Sequence, residues 1–202
     1  MIKTFPSRIK LPNYDLTVEF KTVPSNMLNR EGVDGGAFGR FGEFDLRTYT
    51  ITLMKTNPEF DPYSYLLLLT AALIFCQDIK LSVSKMSSLT FILHYLFKYN
   101  DIKAKCAAVQ KNKDLQFDLL LPGFIIDVAV SSEYKESPGC VSVQNNYIKI
   151  NKDVSARVKP VVLIHEIIEW TNAVFSLGMA HHTIQSFSEL LVFVIINNNF
   201  VS

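Results

Sequence analysis

This chain has few cysteines, and none lies near another. Cys76, Cys106 and Cys140 are the only three in 202 residues, and no C-x-x-C pair occurs. That spacing excludes a ribbon-type zinc site and a disulfide framework, and it implies inert thiols in a reducing compartment. An excess of one charge is also missing, since 20 Lys and Arg stand against 19 Asp and Glu. Without a basic stripe interleaved with aromatics, nothing marks a nucleic-acid partner. The lysines Lys103, Lys105, Lys111 and Lys113 read as a solvated connection between two halves. No hydrophobic run reaches membrane-spanning length. The longest, Tyr63 to Cys76, ends at Gln77 and Asp78, short of the roughly 20 apolar residues a bilayer demands. It reads as a buried helix, and no membrane association is expected. The stretch Met1-Ile2-Lys3-Thr4-Phe5-Pro6 lacks the apolar run of a signal peptide, so a cytosolic protein is expected. No G-x-S-x-G occurs. Gly35-Gly36-Ala37-Phe38-Gly39 lacks the lysine of a phosphate loop and reads as a turn between strands, with Asp34 and Asp45 nearby.

What is present is hydrophobic matter, 49% of the residues, enough for one domain or two small ones. It is arranged twice. Strand-like alternation occurs at Asp15 to Phe20 and Arg47 to Leu53, and again at Phe124 to Val130 and Tyr147 to Ile150. Glycine-bearing turns precede the second strand of each half, at Gly39 and Gly42 and at Gly139. Each half then runs into two helices, opened by Pro62 and by Pro160, 98 positions apart. Leu66 to Phe75 aligns with Ile164 to Ala173. Met86, Leu89, Ile92, Leu93 and Leu96 align with Ile184, Phe187, Leu190, Leu191 and Val194, and both sets keep a helical apolar spacing. The expected fold is α+β: two tandem similar units, 1–101 and 102–202, each a small antiparallel-type sheet plus a helix hairpin.

The halves differ where chemistry would lie. In the second half Leu163-Ile164 leads into His165-Glu166-Ile167-Ile168-Glu169, on what reads as a buried helix. His165 and Glu169 are four apart and project from one helical face. That spacing suits two ligands of one zinc ion, which accepts carboxylate oxygen as well as imidazole nitrogen. Glu166 stands beside them, where the H-E-x-x-H arrangement places its general base. A third ligand must come from outside this turn. Leu177 and Gly178 break the helix, and the next begins near Ala180. His181 and His182 therefore fall in its first turn. His181 shares a face with Ile184 and is preferred as third ligand; His182 is the alternative, and Glu189 a reserve ligand or a partner for a histidine tautomer. In the first half, Leu67, Leu68, Ala71, Val83 and Ser84 stand where His165, Glu166, Glu169, His181 and His182 stand in the second. His94 sits alone on an apolar helix.

With Leu163-Ile164-His165-Glu166-Ile167-Ile168-Glu169 and His181 three residues before Ile184, the chain resembles a family of small phage and bacterial zincin-like proteins with a minimal metallopeptidase fold. Gly42-Glu43-Phe44-Asp45 and Ile51-Thr52-Leu53 resemble the front part of such a protein, so the first half resembles the fold without the site. The resemblance implies zinc held by His165, Glu169 and His181, and catalysis by Glu166. It implies a zinc-dependent metallopeptidase acting on a peptide or protein. The strand before the helix, Tyr147 to Ile150, is the candidate edge along which an extended peptide adds. The alternative it leaves is a non-catalytic zincin-fold binding protein, a phage-encoded factor engaging a host protein in the host cytoplasm, with a structural or vestigial metal site.

Overall fold

Among the described residues, runs of alternating and of helical apolar spacing build two sheets and five helices, and the chain is mixed α+β in its computed structural model. The structure describes residues 7–12, 15–22, 42–45, 47–55, 69–74, 81–132 and 137–198. One sheet holds β1 (Arg8–Lys10), β2 (Asp15–Thr22), β3 (Gly42–Asp45) and β4 (Thr50–Lys55) in the order β1-β2-β4-β3. The other holds β5 (Leu115–Leu121), β6 (Phe124–Ser131), β7 (Gly139–Ser142) and β8 (Tyr147–Asn151) in the order β5-β6-β8-β7. Helix α1 covers 69–74; α2 is Val83–Tyr99, α3 Ile102–Lys111, α4 Lys159–Val174 and α5 His181–Asn197. No helix among the described residues is long and apolar enough to cross a membrane.

The sheets depart from the antiparallel type and from the edge position that the sequence suggests. Neither sheet is antiparallel throughout. The outer pairs are antiparallel, but the central pairs, β2 with β4 and β6 with β8, run parallel. Alternation reports which face of a strand is buried, and it carries no signal for the direction of the neighbour. Nor is Tyr147 to Ile150 an edge. β8 lies between β6 and β7, and the edge on that side is β7.

The two sheets repeat one another residue by residue. Thr17 faces Thr50 across the parallel pair and donates its N–H to the Tyr49 carbonyl at 3.0 Å. Asp127 faces Tyr147 and donates to the Asn146 carbonyl at 2.9 Å. Tyr49 and Asn146 both have φ of 50°, so each inner strand starts from the same left-handed kink. Gly42 opposes Leu53 as Gly139 opposes Ile150. In this register the buried Ile9, Leu11, Leu16, Val18 and Ile51 correspond to the buried Leu119, Leu121, Ile126, Val128 and Ile148. The spacing between halves shifts where residues 23–41 separate β2 from β3, against 132–138 between β6 and β7.

Between the halves lies a helix where the lysines had suggested a solvated connection. Asp101 caps α3 by accepting from the Ala104 N–H at 3.1 Å, and Ile102, Cys106 and Val109 form its buried stripe. Lys103, Lys105 and Lys111 lie off that stripe, with Lys103 and Lys111 exposed, and Lys113 follows the helix. Burial raises the Cys106 thiol to about 12, which makes it an inert core group. β5 follows, turning into β6 at Pro122-Gly123, where Gly123 takes φ of 79°. Pro62, Gly35 to Gly39, Asp34, Leu67 and Leu68 lie outside the described residues.

Each sheet has an edge closed by an asparagine from the other half. Asn100 caps the C-terminus of α2; its Nδ2 donates to the Leu120 carbonyl at 2.8 Å, and its Oδ1 accepts from the Leu120 N–H at 2.7 Å. Asn198 caps α5 and makes the same pair with Lys10 on β1, at 3.2 and 2.8 Å. Both asparagines are buried. A sheet edge presents unpaired N–H and C=O groups, and each amide satisfies one of each. Asn100→Ala and Asn198→Ala each strand a buried donor and acceptor, so each is expected to cost about 1–3 kcal/mol in urea denaturation. Losses under about 0.5 kcal/mol in both would mean that water serves these edges equally well.

Candidate metal centre

Helix α4 is built from residues that favour strands. Val161, Val162, Ile164, Ile167 and Ile168 are β-branched and lose rotamer freedom in a helix. Burial compensates: Leu163, Ile164, Ile167, Ile168 and Trp170 are at most 1% exposed. Pro160 starts the helix with φ already set. Ser176 and Gly178, at φ of 50° and 68°, end it and reverse the chain, as the sequence leads one to expect of Gly178. Asn172 then fixes the return. Its Oδ1 accepts from the Met179 N–H at 2.9 Å and its Nδ2 donates to the Met179 carbonyl at 3.2 Å. Two residues later α5 opens at His181, with Ala180 as its cap.

That turn brings together His165, Glu169 and His181. Oε1 of Glu169 lies 2.8 Å from Nδ1 of His181 and 3.7 Å from Nε2 of His165. The two imidazoles meet edge to face, with centroids 4.8 Å apart. One ligand-capable atom from each residue lies within 4.8 Å of the others. Tetrahedral zinc with bonds of 2.0–2.2 Å holds its ligand atoms roughly 3.3–3.6 Å apart, so a divalent ion fits this group with small side-chain adjustments. Two nitrogens and a carboxylate oxygen are a donor set that zinc accepts, though other divalent ions accept it too. Nδ1 of His165 is buried and finds no hydrogen-bond partner, so this ring lacks the usual acceptor behind its second nitrogen.

The environment divides the site. His165 is 7% exposed, and burial holds its imidazole below the ordinary range; His181 adds to this and Glu169 opposes it. A neutral ring at neutral pH is ready to bind a metal. His181, by contrast, is exposed over 76% of its side chain. It is not drawn inward with Ile184 as its shared face implied, but reaches Glu169 from the solvent side. His182 and Glu189 stand apart from the group. Both are exposed, and Oε1 of Glu189 accepts from Nε2 of Gln185 at 2.6 Å. His94 lies on α2 and is outside the group as well. Asp45 lies in β3 and accepts from the Arg47 N–H at 2.8 Å, a turn role.

Glu166 occupies a different setting, against β7. It is 8% exposed, and its carboxyl is pushed up to about 7, chiefly by burial, then by Glu169, with His181 opposing. Its folded form therefore holds a proton more tightly than the unfolded chain does, at 4.5. The stability this group contributes to the metal-free protein is complete below pH 4.5 and lost as pH rises through about 7. Wild type should thus lose up to roughly 3 kcal/mol relative to Glu166→Gln across that window. Melting curves with a chelator from pH 4.5 to 8 measure the difference, and parallel curves would refute it.

The spacing of His165, Glu169 and His181 is legible in the sequence; of two supporting residues, only Gly139 carries a signal there. Asn172 acts through a turn that no periodicity reports. Gly139 had appeared as a turn residue before a strand, whereas it opens β7 and faces α4. A glycine within a strand is itself a sign of close backbone approach, and that signal was available. Comparison with protein-family models, curated proteins and solved structures finds no match.

Proposed function

We propose that the chain is a zincin-like, zinc-dependent hydrolase acting on peptides, with His165, Glu169 and His181 as ligands and Glu166 as general base. The observation that carries this is the convergence of two imidazoles and a carboxylate from two helices, beside a second, buried glutamate. Zinc bound there would polarise a substrate carbonyl and make water more acidic. Glu166 takes the proton from the attacking water and returns it to the leaving amine.

The substrate is read from β7. Among the described residues no strand pairs with its outer edge. Asn151 donates to the Pro138 carbonyl and Cys140 faces Lys149, so Gly139 and Val141 turn their backbone groups outward, with the Gly139 carbonyl already accepting from Oγ of Ser137. An extended peptide adding there would run beside α4. Metal content of the purified protein, with peptide cleavage by wild type and Glu166→Gln, tests the reading. Bound zinc with no cleavage of any peptide or protein would sink it.

We further read the chain as an internal duplication, 1–101 and 102–202, in which one unit keeps the fold without the site. The shared strand order, the matching left-handed residues and the reciprocal Asn100 and Asn198 contacts support this. Reciprocal contacts of that kind are those of an isologous pair. The same asymmetry favours a second reading, a non-catalytic binding protein engaging a host factor. Ala71, buried, is the counterpart of Glu169 in the unit that has lost its polar residues. In that case His165→Ala leaves the biological effect intact.

A further inference from the structure

Where β7 passes α4 most closely, the strand has no side chain. A Cβ at Gly139 would lie 2.5 Å from Cγ1 of Val162, 2.8 Å from Oε1 of Glu166 and 3.2 Å from Cγ of Glu166. Backbone conformation does not call for glycine here. Gly123 and Gly178 are the described glycines with positive φ, and Gly139 is not among them. The requirement is one of space, and the space lies over Val162 and the Glu166 side chain. Gly139 is otherwise anchored: its carbonyl accepts from Oγ of Ser137 at 2.7 Å, and it sits opposite Ile150 in the ladder.

We propose that Gly139 is a positioning residue, whose missing side chain leaves the room that holds the Glu166 carboxylate against the edge strand and beside the ligand group. The inference rests on reading Glu166 as the base. The two obstacles to a methyl group yield unequally. Val162 is β-branched, has one strongly preferred rotamer in a helix and is wedged in the core. Glu166 has three side-chain torsions, so its carboxylate swings aside, while the contact with Val162 is met by a small shift of strand against helix. The ligands lie elsewhere: none of the nearest atoms to that methyl belongs to His165, Glu169 or His181. Gly139 therefore governs where the base stands without governing whether a metal binds.

The test combines Gly139→Ala and Glu166→Ala in a double-mutant cycle on the metal-free protein, with zinc titrations of all four forms. Gly139→Ala should lower the melting temperature by about 3–10 °C, as overpacking does. Glu166→Ala in the same chain should restore at least half of that loss. Zinc affinity of Gly139→Ala should stay within about threefold of wild type, while its peptide turnover falls about tenfold or more in kcat with KM held. If Gly139→Ala does not fold, Gly139→Ala with Val162→Ala makes room on the helix side and is compared with and without Glu166→Ala. Strictly additive melting shifts, or zinc affinity lost in step with stability, would overturn the proposal and leave Gly139 a packing residue. A wild type without turnover would remove the hydrolase reading alone, because the melting cycle and the zinc titration need no substrate.

Discussion

Zinc added to the chelator-treated protein is expected to raise its melting temperature by about 8–16 °C, and His165→Ala is expected to abolish that rise. An ion that binds the folded chain alone stabilises it by RT ln(1 + [L]/Kd), about 4 kcal/mol at a thousandfold excess over Kd. For a domain of this size each kcal/mol moves the melting temperature by roughly 2–4 °C. The ligands join the middle turns of α4 to the start of α5, so the ion ties a hairpin whose return otherwise depends on Asn172 and Gly178. His165 supplies the buried nitrogen, and no other described imidazole stands in reach to replace it. Glu169→Ala should be as severe, because Glu169 is the residue that approaches both histidines. His181→Ala removes the exposed ligand and should weaken the shift. His182→Ala should leave it whole, which separates the two adjacent histidines in one experiment. Equal shifts in wild type and His165→Ala would place any bound metal somewhere else.

Local pattern carried much of the candidate site and little of its surroundings. Four-residue spacing put His165 and Glu169 on one face, and the glycine at 178 predicted the reversal that returns His181. Both inferences depend on neighbours in sequence, where helical geometry is fixed. The like spacing of α2 and α5 is legible in the helices for the same reason, since their buried positions fall in matching steps. The sheets were harder. β1 has three residues, too few for alternation to register, and β5 was hidden by its own hairpin partner. Parallel pairing of β6 with β8 is decided by how the intervening chain crosses, so β8 was mistaken for an edge. His181 reaches Glu169 by a route that its shared face does not report: its neighbour Ile184 is buried, but the ring itself stays in solvent. Contacts such as Asn198 with Lys10 join residues 188 apart, and one sequence holds no trace of them.

Glu166→Gln carries the other large effect: retained zinc and a loss of peptide turnover of about 10²–10⁴-fold, the range that a general base contributes. Glutamine keeps the length and shape of the side chain and fits the space beside Gly139, so packing is preserved. It cannot accept a proton at neutral pH, so the transfer from water and the return to the leaving amine are both lost. Two further variants separate chemistry from structure. Glu166→Asp keeps the carboxyl but draws it back by one methylene from β7, and should fall between wild type and glutamine. Glu169→Gln keeps a neutral oxygen in the ligand group and should reduce metal affinity before it reduces turnover at saturating metal. In metal-free melts Glu166→Gln should be as stable as wild type at low pH and more stable above neutrality, because the buried carboxylate no longer has to ionise. An unchanged rate in Glu166→Gln with zinc bound would take this glutamate out of the chemistry. No rate in any form, with the metal-dependent melting shift intact, would leave a zinc-tied helix hairpin serving as a binding module.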